Sequence, residues 1–340
     1  MTRQWNVAVL GATGLVGETM IKVLEERKFP VGKLFPLASN RSLGKSVEFN
    51  GKSVDVIDVE SFDFSEADIG LFSAGGEVSR LYAPKAAAAG CVVIDNTSEF
   101  RYDEDVPLVV PEVNPQSIAD FKTRRIIANP NCSTIQMLVA LKPLHDAAKI
   151  LRINVATYQS VSGAGKEAVD ELAAQSVALM SGKGPVKPKV IAAQIAFNVV
   201  PQIDKFQDNG YTKEEMKMSW ETQKILDRSI RVNATTVRVP VFFGHSEVIN
   251  IETARKLTAA EAHKLLEKAP GVKVIDSRKP GGYPTPAIDA ANDDRVFVGR
   301  IREDISHEHG LNLWVVSDNI RKGAATNSVQ IAEILTRDYL

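Results

Sequence analysis

Near its N-terminus the chain reads Val7-Ala8-Val9-Leu10-Gly11-Ala12-Thr13-Gly14-Leu15-Val16-Gly17, an apolar run followed by three glycines at intervals of three residues. Gly11 allows a tight turn, Gly14 lets the backbone approach a pyrophosphate, and Gly17 allows a helix to pack closely on the strand. The pattern predicts a strand, a glycine loop and a helix whose free N–H groups bind phosphate. An ordinary glycine-rich turn is the alternative. The expected cofactor contacts are Gly11, Thr13, Gly14, Leu15 and Val16.

The end of the second predicted strand indicates which dinucleotide binds. Sites that prefer NAD place an acidic residue there, about 20 residues after the glycines, to hold the ribose 2′-hydroxyl. Here the strand is followed by Ser39-Asn40-Arg41-Ser42, without an acid. Arg41, with Ser39 and Ser42 as hydrogen-bond donors, suits a 2′-phosphate and predicts NADP, although a solvated loop arginine is the alternative. Further cofactor contacts are expected after the next strand, from Ser73 and Gly75.

A second informative stretch is Asn129-Pro130-Asn131-Cys132-Ser133-Thr134, which places a cysteine where a turn meets an apolar run. The proline and the asparagines break regular structure, and Asn131 and Ser133 are good helix N-caps. Cys132 is therefore predicted at a helix N-terminus, where the macrodipole favours the thiolate, the nucleophilic form. A buried structural cysteine is the alternative. The other cysteine, Cys91, lies among apolar residues and is predicted to be core.

Composition limits the class of protein. At 340 residues, two domains are expected. The net charge is −1, with 41 basic and 42 acidic residues and no polybasic run, which argues against nucleic-acid and membrane-surface partners. No apolar stretch has the length of a membrane span, and Met1–Trp5 lacks the apolar region of a signal peptide. Two cysteines give no disulfide framework, so a soluble cytoplasmic protein with reduced thiols is predicted.

Up to residue 130, short apolar runs alternate with helical patterns, which predicts a mainly parallel sheet with crossover helices. The predicted strands of this part are Asn6–Leu10, Leu34–Ala38, Ile69–Ser73, Val92–Asp95 and Ile126–Ala128, and its predicted helices are Glu18–Glu26 and Arg80–Ala89. After Cys132, longer strand patterns predict an α+β domain with a mixed or antiparallel sheet. Its predicted strands are Ile153–Gln159, Thr235–Val241, Glu247–Leu257, Val296–Ile301 and Leu311–Val316, and its predicted helices are Lys166–Met180, Lys213–Leu226 and Ala259–Lys268. An exposed loop is expected at Ser181–Pro188. A last helix, Asn319–Leu335, is expected to pack back on the first domain.

Further motifs follow along nearly the whole chain. With the glycine loop and the cysteine hexapeptide, they are Ser98–Arg101, Pro111–Asn114, Gln159–Gly165, Glu214–Lys217, Arg238–Pro240, His245–Glu247 and Asp318–Ala325. In this order the motifs resemble the aspartate-β-semialdehyde dehydrogenase family. The resemblance implies an α/β, Rossmann-like dinucleotide-binding domain at residues 1–131 and 318–340. It also implies an α+β catalytic and dimerisation domain at residues 132–317, a fold similar to that of glyceraldehyde-3-phosphate dehydrogenase.

The activity implied by the resemblance is an NADPH-dependent reduction of β-aspartyl phosphate to aspartate semialdehyde and phosphate, through a cysteine thioester, in a homodimeric enzyme. This reaction lies in the aspartate pathway to lysine, threonine, methionine and diaminopimelate. Cys132 would be the nucleophile, and His245 the proton carrier, because the ordinary pKa of histidine lies near neutrality. Gln159 matches the residue that positions the acyl carbonyl. Asn131 is placed to donate a hydrogen bond to the developing oxyanion.

Binding roles follow from the same resemblance. Arg101 and Lys217 match the family's phosphate-binding residues, and both side chains suit a phosphate. Glu214 would meet the substrate amine, and Arg238 would clamp its carboxylate. From the sequence alone, Lys217 would be a helix-surface charge, and Arg238 a solvent-facing strand residue. The remaining cofactor positions that match are Ser162, Gly163 and Asn319.

Two alternatives remain open on the sequence. N-acetyl-glutamyl-phosphate reductase also combines a glycine loop with a cysteine and a histidine, but its acetylated substrate would not need Glu214 and Arg238 together. A non-enzymatic NADP-binding sensor on the same scaffold is the other alternative. No metal is expected, because the pair His307 and His309 has no further Cys or His ligands close by in the sequence.

Overall fold

The structure, a computed structural model, describes residues 3–340. The signal-peptide prediction concerns the segment Met1–Trp5. The first two residues of that segment, Met1 and Thr2, lie outside the described residues. The chain forms two compact units. One runs to Asn131 and resumes from Ala324 to Leu340, and the other spans Cys132–Gly323. The return to the first unit therefore begins at Ala324, whereas the domain prediction placed it at residue 318.

Helices and strands are numbered in chain order. The strands are β1 (Trp5–Leu10), β2 (Val31–Ala38), β3 (Ser46–Phe49), β4 (Lys52–Asp55), β5 (Ile57–Asp58), β6 (Ile69–Phe72), β7 (Val92–Asp95), β8 (Ile126–Ala128), β9 (Ile150–Gln159), β10 (Arg231–Arg238), β11 (His245–Thr253), β12 (Val272–Val274), β13 (Val296–Glu303) and β14 (Gly310–Ser317). The α-helices are α1 (Leu15–Glu26), α2 (Gly76–Ala88), α3 (Cys132–Ala148), α4 (Lys166–Met180), α5 (Lys213–Ile225), α6 (Ala259–Glu267) and α7 (Thr326–Asp338).

The first unit is built on a parallel sheet in the order β5-β2-β1-β6-β7-β8. Strands β1, β6 and β7 are short, mostly buried and largely apolar, as expected for a sheet covered by helices on both faces. The predicted Rossmann-like fold is confirmed. The sequence reading missed the hairpin of β3 and β4, although Asn50-Gly51 at its turn has positive φ angles of 50° and 69° and is a strong hairpin signal.

The C-terminal helix α7 belongs to the first unit, as predicted. Val329 and Leu335 join the same buried cluster as Val7 and Val9 of β1. The helix was predicted from Asn319 but begins at Thr326. The reason is a wider π-helical turn at Arg321–Ala325, which precedes the regular helix.

The second unit holds a mixed sheet in the order β10-β9-β11-β14-β13-β12, which confirms the predicted α+β character. β9 and β10 are parallel, and β11 is antiparallel to both β9 and β14. The strand predicted at Thr235–Val241 ends earlier, at Arg238, because Pro240 has no N–H to continue a ladder. Short β12 was not predicted. Helix α5 begins after a capping box of Thr212 and Glu215.

Alternate residues of β9 and β11 point to opposite faces of this sheet. Odd-numbered residues such as Thr157 and Ile249 are buried on the inner face, where α3 packs, whereas even-numbered residues such as Tyr158 and Val248 are more exposed. We call this second surface the open face. Within residues 3–340, no helix combines the length and the apolar character needed to cross a membrane.

Candidate active site

The glycine loop of the first unit has the geometry that a bound pyrophosphate requires. Gly11 has φ +89°, and a Cβ there would lie 2.7 Å from the carbonyl oxygen of Ser73. A Cβ on Gly17 would lie 2.1 Å from the oxygen of Gly11, so only glycine fits at both positions. Helix α1 begins at Leu15, directly after Gly14, which leaves its first N–H groups available to an anion. The strand order reverses between β1 and β6, the position where such sheets bind ligands.

The adenosine end of this predicted cofactor site lies at the end of β2. The hydroxyls of Thr13 and Ser42 are 3.2 Å apart, so the structure brings the glycine loop and the Ser39–Ser42 segment together. Arg41 lies in a short 3₁₀ turn, and its side chain is exposed. On the other side of β1, Gly75 has φ +95° and precedes helix α2. Hydroxyls and a cation are therefore available, and no acidic residue directly follows β2 in the chain.

Cys132 is the first residue of α3 and is partly exposed, whereas Cys91 is fully buried. Burial raises the pKa of Cys91 to about 12, which keeps it a protonated core residue, as predicted. Gly323 approaches Cys132 so closely that a Cβ on Gly323 would lie 2.8 Å from the Cys132 Cβ. The Gly323 N–H donates to the carbonyl of Asp318 at 3.0 Å, which fixes this turn against the start of α3.

His245, the first residue of β11, is fully buried. Its Nδ1 accepts the backbone N–H of Ser160 at 3.1 Å, so the neutral ring carries its proton on Nε2. Within the described residues, Nε2 has no hydrogen-bond partner. Burial and the Arg238 guanidinium lower the pKa of His245 to about 3, although Glu214 opposes them. The imidazole is therefore neutral at physiological pH, which differs from the expectation that it titrates near neutrality.

Arg238 is the inward-facing last residue of β10, paired with Gln159 of β9. It is buried, and its Nη1 donates to the carbonyl of Ser160 at 2.8 Å. A Cβ on Gly163 would lie 2.9 Å from Arg238 Nη1 and 3.1 Å from His245 Nε2. These two groups therefore converge on the backbone of Gly163, and the absence of a side chain there keeps the space beside them open.

Glu214 and Lys217 lie one turn apart on α5 and form an ion pair in which Glu214 is buried and Lys217 partly exposed, with Lys217 Nζ 3.0 Å from Glu214 Oε2. The other Glu214 oxygen accepts from Gln159 Nε2 at 3.2 Å. Lys217 also contacts Asp204 Oδ2 at 2.8 Å. Burial alone would lower the pKa of Lys217, but Glu214 and Asp204 outweigh it and raise the pKa. The ammonium therefore stays charged beside two carboxylates.

Comparisons with known proteins identify the family to which the chain belongs. Two family descriptions match the chain: "Semialdehyde dehydrogenase, NAD binding domain" over residues 6–121 and "Semialdehyde dehydrogenase, dimerisation domain" over residues 141–322. An aspartate-semialdehyde dehydrogenase of Shewanella sp. (strain DB6705) is 65% identical over the full length of both chains. The chain belongs to the aspartate-semialdehyde dehydrogenase family.

A crystal structure of aspartate semialdehyde dehydrogenase II from Vibrio cholerae, complexed with ASA, has a TM-score of 0.98, 61% identity and full coverage of both chains. A Candida albicans aspartate semialdehyde dehydrogenase with NADP has a TM-score of 0.76 and 26% identity, with 98% of each chain covered.

The remaining positions assigned from the family resemblance are distributed between the two units. Arg101 and Asn131 are buried in the first unit, where Arg101 Nη2 donates to the carbonyl of Asn96 at 2.7 Å. In the second unit, Ser162 and Asn319 are hydrogen-bonded to each other. Ser162 and Asn319 were both predicted to contact the cofactor. Each already has at least one polar atom hydrogen-bonded within the second unit.

Three residues of this aspartate-semialdehyde dehydrogenase site were not assigned a role from the sequence. Ser160 contacts the His245 ring, and its Oγ donates to Asn319 Oδ1 at 3.0 Å, so it orients the imidazole. Gly323 provides the close approach to the nucleophile candidate. Asp204 pairs with the lysine of α5, and nothing in its local sequence indicates this. Ser160 could have been found, because it follows Gln159 at the end of a predicted strand. Within residues 3–340, no group of three or more His, Cys, Asp or Glu side chains is placed to hold a metal ion.

Proposed function

We propose that the chain reduces β-aspartyl phosphate to aspartate semialdehyde and phosphate with NADPH, through a thioester on Cys132. The observation that carries this proposal is the partly exposed thiol of Cys132 at the first residue of a 17-residue helix. The helix dipole favours the thiolate there. The Arg238 guanidinium adds positive charge. Burial lowers the pKa of Arg238, and the charges of Glu214 and Cys132 partly oppose this shift, which means that Arg238 and Cys132 interact electrostatically.

In the proposed first step, the Cys132 sulfur attacks the acyl carbon. An S–C bond forms, the C–O bond to phosphate breaks, and the departing phosphate takes up a proton from solvent. When bound, NADPH supplies a hydride to the thioester carbon. The C–S bond then breaks, which releases the aldehyde and regenerates the thiolate. Both additions place negative charge on the former carbonyl oxygen, which hydrogen-bond donors stabilise.

His245 is the proposed donor to that oxygen. Its proton lies on Nε2, which has no partner within the described residues, and its low pKa keeps the ring neutral. Ser160 fixes this tautomer from the other side of the ring. Asn131, next to the nucleophile in the chain, is the second proposed donor. This role differs from that of proton carrier, which the family resemblance implies for His245.

The substrate anchors are proposed from the buried charges of the second unit. Arg238 would hold the α-carboxylate by a bidentate pair, and Glu214 the α-ammonium group. Gln159 bonds to Glu214 and would position the acyl carbonyl. Lys217, with Arg101, would bind the transferred phosphate. The requirement for a free α-amino acid favours this reaction over reduction of an N-acetylated substrate.

NADP is the proposed cofactor, held by the glycine loop through Gly11, Gly14 and the first turn of α1, with Arg41, Ser39 and Ser42 at the 2′-phosphate. The absence of an acid at the end of β2 supports NADP over NAD. The Candida albicans relative with NADP points in the same direction. We further propose that the enzyme acts in the cytoplasm, in the biosynthesis of lysine, threonine, methionine and diaminopimelate.

We propose that a second copy of the chain covers the open face of the second unit. On this face Tyr158 and Trp314 pack against each other with tilted rings whose centroids are 5.9 Å apart, and Tyr158 is 37% exposed. The description of residues 141–322 as a dimerisation domain supports a homodimer. Tyr158→Glu should sediment as a monomer, whereas Leu43→Glu, a matched change at an exposed residue of the first unit, should remain dimeric. A dimeric Tyr158→Glu would place the interface elsewhere.

The catalytic proposal is tested with two serine variants, Cys132→Ser and Cys91→Ser. With NADP, phosphate and aspartate semialdehyde, the first should form no NADPH, and the second should keep wild-type turnover if it folds. NADP affinity, measured by fluorescence, should be unchanged in Cys132→Ser. Substantial turnover by Cys132→Ser would refute the nucleophile. Faster NADPH formation by the wild type from N-acetyl-glutamate semialdehyde would favour the related reductase, and NADP binding without turnover would favour a sensor.

A further inference from the structure

The inner face of β11 carries a carboxyl group that the proposed reaction does not use. Glu247 lies two residues after His245 on the same face of this strand and is fully buried. Within the described residues, neither Oε1 nor Oε2 has a hydrogen-bond partner. Its cross-strand neighbours are Thr157 on β9 and Val315 on β14, neither of which is charged. A buried carboxylate without a cation is very costly, so the group must be neutral or gain a partner.

The side chain next to this carboxyl is Gln136, on the helix of the nucleophile. Gln136 lies four residues after Cys132 and therefore on the same face of α3. Its Nε2 donates to the backbone carbonyl of His245 at 3.5 Å, while its Oε1 is buried without a partner within the described residues. Burial raises the pKa of Glu247 well above its usual range. Only the nearby Gln136 side chain opposes this rise, and no charged group contributes.

We propose that Glu247 is a neutral carboxylic acid paired with Gln136, and that this acid–amide pair positions Cys132 relative to His245. The Glu247 O–H donates to Gln136 Oε1, and a Gln136 N–H donates to the other Glu247 oxygen. These two bonds satisfy all three unpartnered atoms, and the second N–H of Gln136 still reaches the His245 carbonyl. No proton moves during turnover, so Glu247 is a positioning residue. The inference rests on the proposed function only in its roles for Cys132 and His245.

The acid–amide pair joins α3 to β11. Gln136 lies one helical turn after Cys132, and Glu247 lies two residues after His245. An ionised Glu247 would instead present a negative oxygen to Gln136 Oε1, which repels it. Loss of the pair would therefore let the first turn of α3 shift against the strand. Because reacting groups lose rate steeply when they are misplaced by fractions of an ångström, kcat should respond more than substrate affinity.

The test uses Glu247→Gln, Glu247→Leu and the double variant Gln136→Leu/Glu247→Leu. An amide at 247 makes the same two bonds with Gln136, so Glu247→Gln should keep kcat within about twofold. Glu247→Leu should lower kcat by about 10- to 100-fold with little change in KM. The double variant removes the orphaned amide, so its melting temperature should recover while its kcat does not.

Two readouts do not depend on the identity of the substrate. The infrared spectrum at pH 7 should contain the carbonyl band of a protonated carboxyl, which Glu247→Gln removes. Iodoacetamide should alkylate Cys132 at a different rate in Glu247→Leu than in the wild type or in Glu247→Gln. A missing infrared band, a kcat loss in Glu247→Gln equal to that in Glu247→Leu, or recovery of kcat in the double variant would each overturn the proposal. Turnover that survives Cys132→Ser would instead refute the proposed function, while the infrared result would still stand.

Discussion

Gly323→Ala tests how tightly the fold holds the nucleophile. The new Cβ would begin 2.8 Å from the Cβ of Cys132 and 3.3 Å from its Cα. Ordinary contacts between such atoms begin at 3.4 Å, so the two Cβ atoms must separate by about 0.6 Å. Neither atom is the flexible end of a long side chain. The start of α3 or the turn after Asp318 must therefore move.

The expected cost has two parts. Overpacking at a close contact typically destabilises a protein by about 1–3 kcal/mol. A displacement of about 0.6 Å should lower kcat about tenfold, since 1 Å can cost about 100-fold. The control is Gly32→Ala on β2, remote in sequence from the thiol, where the new Cβ would meet Asn6 Oδ1 at 3.1 Å and Gln4 Cβ at 3.3 Å.

The assay combines kcat for NADPH formation with urea unfolding and with the alkylation rate of Cys132. Gly323→Ala should fold, melt at a lower temperature and turn over slowly, while Gly32→Ala should keep the wild-type kcat. A folded Gly323→Ala with wild-type kcat would show that Cys132 does not depend on this contact, and the reasoning from its geometry would be wrong.

Three further changes probe separate groups. His245 has a folded pKa of about 3, below its unfolded value, so the wild type should lose stability as pH falls through 6.5. Between pH 7 and pH 5 this loss is about 2 kcal/mol by urea unfolding, and His245→Gln should lack it; an equal loss in both proteins would contradict the buried, neutral ring. Arg41→Asp should shift nucleotide preference from NADP towards NAD in fluorescence titrations, unlike Lys45→Asp on the same loop; unchanged NADP affinity would remove Arg41 from the 2′-phosphate. Lys217→Met should raise the KM for phosphate at least about tenfold, and an unchanged phosphate KM would exclude its proposed role.

Much of the fold follows from local sequence signals. The glycine loop and the short apolar strands specify the parallel sheet, because buried strands of this kind need helices on both faces. The capping box of Thr212 and Glu215 fixes the start of α5. The hairpin at Asn50-Gly51 was missed although its signal is present. The start of α7 was misplaced because the π-helical turn before it has the same apolar pattern as a regular helix.

The charge states and burial of the candidate site residues could not be predicted from the sequence, because they depend on tertiary packing. A histidine after an apolar turn gives no indication that burial and a neighbouring arginine lower its pKa to about 3. Arg238 on a strand is more often solvent-facing, and only the structure places it on the buried face. The contact of Asp204 with Lys217 joins a loop to helix α5, and the sequence around Asp204 has no particular pattern. Sequence spacing identifies such residues, but tertiary contacts set their charge states.

The most direct test of the central claim is the mass of the peptide that contains Cys132 after an acid quench. The enzyme is incubated with NADP and aspartate semialdehyde without phosphate, so that the acyl group has no acceptor besides water. The expected result is an aspartyl adduct on Cys132 and an unmodified Cys91. The thioester at this helix start would be contradicted by three observations made together. These are full NADPH formation with phosphate present, no adduct on Cys132 at any quench time, and an adduct on another residue.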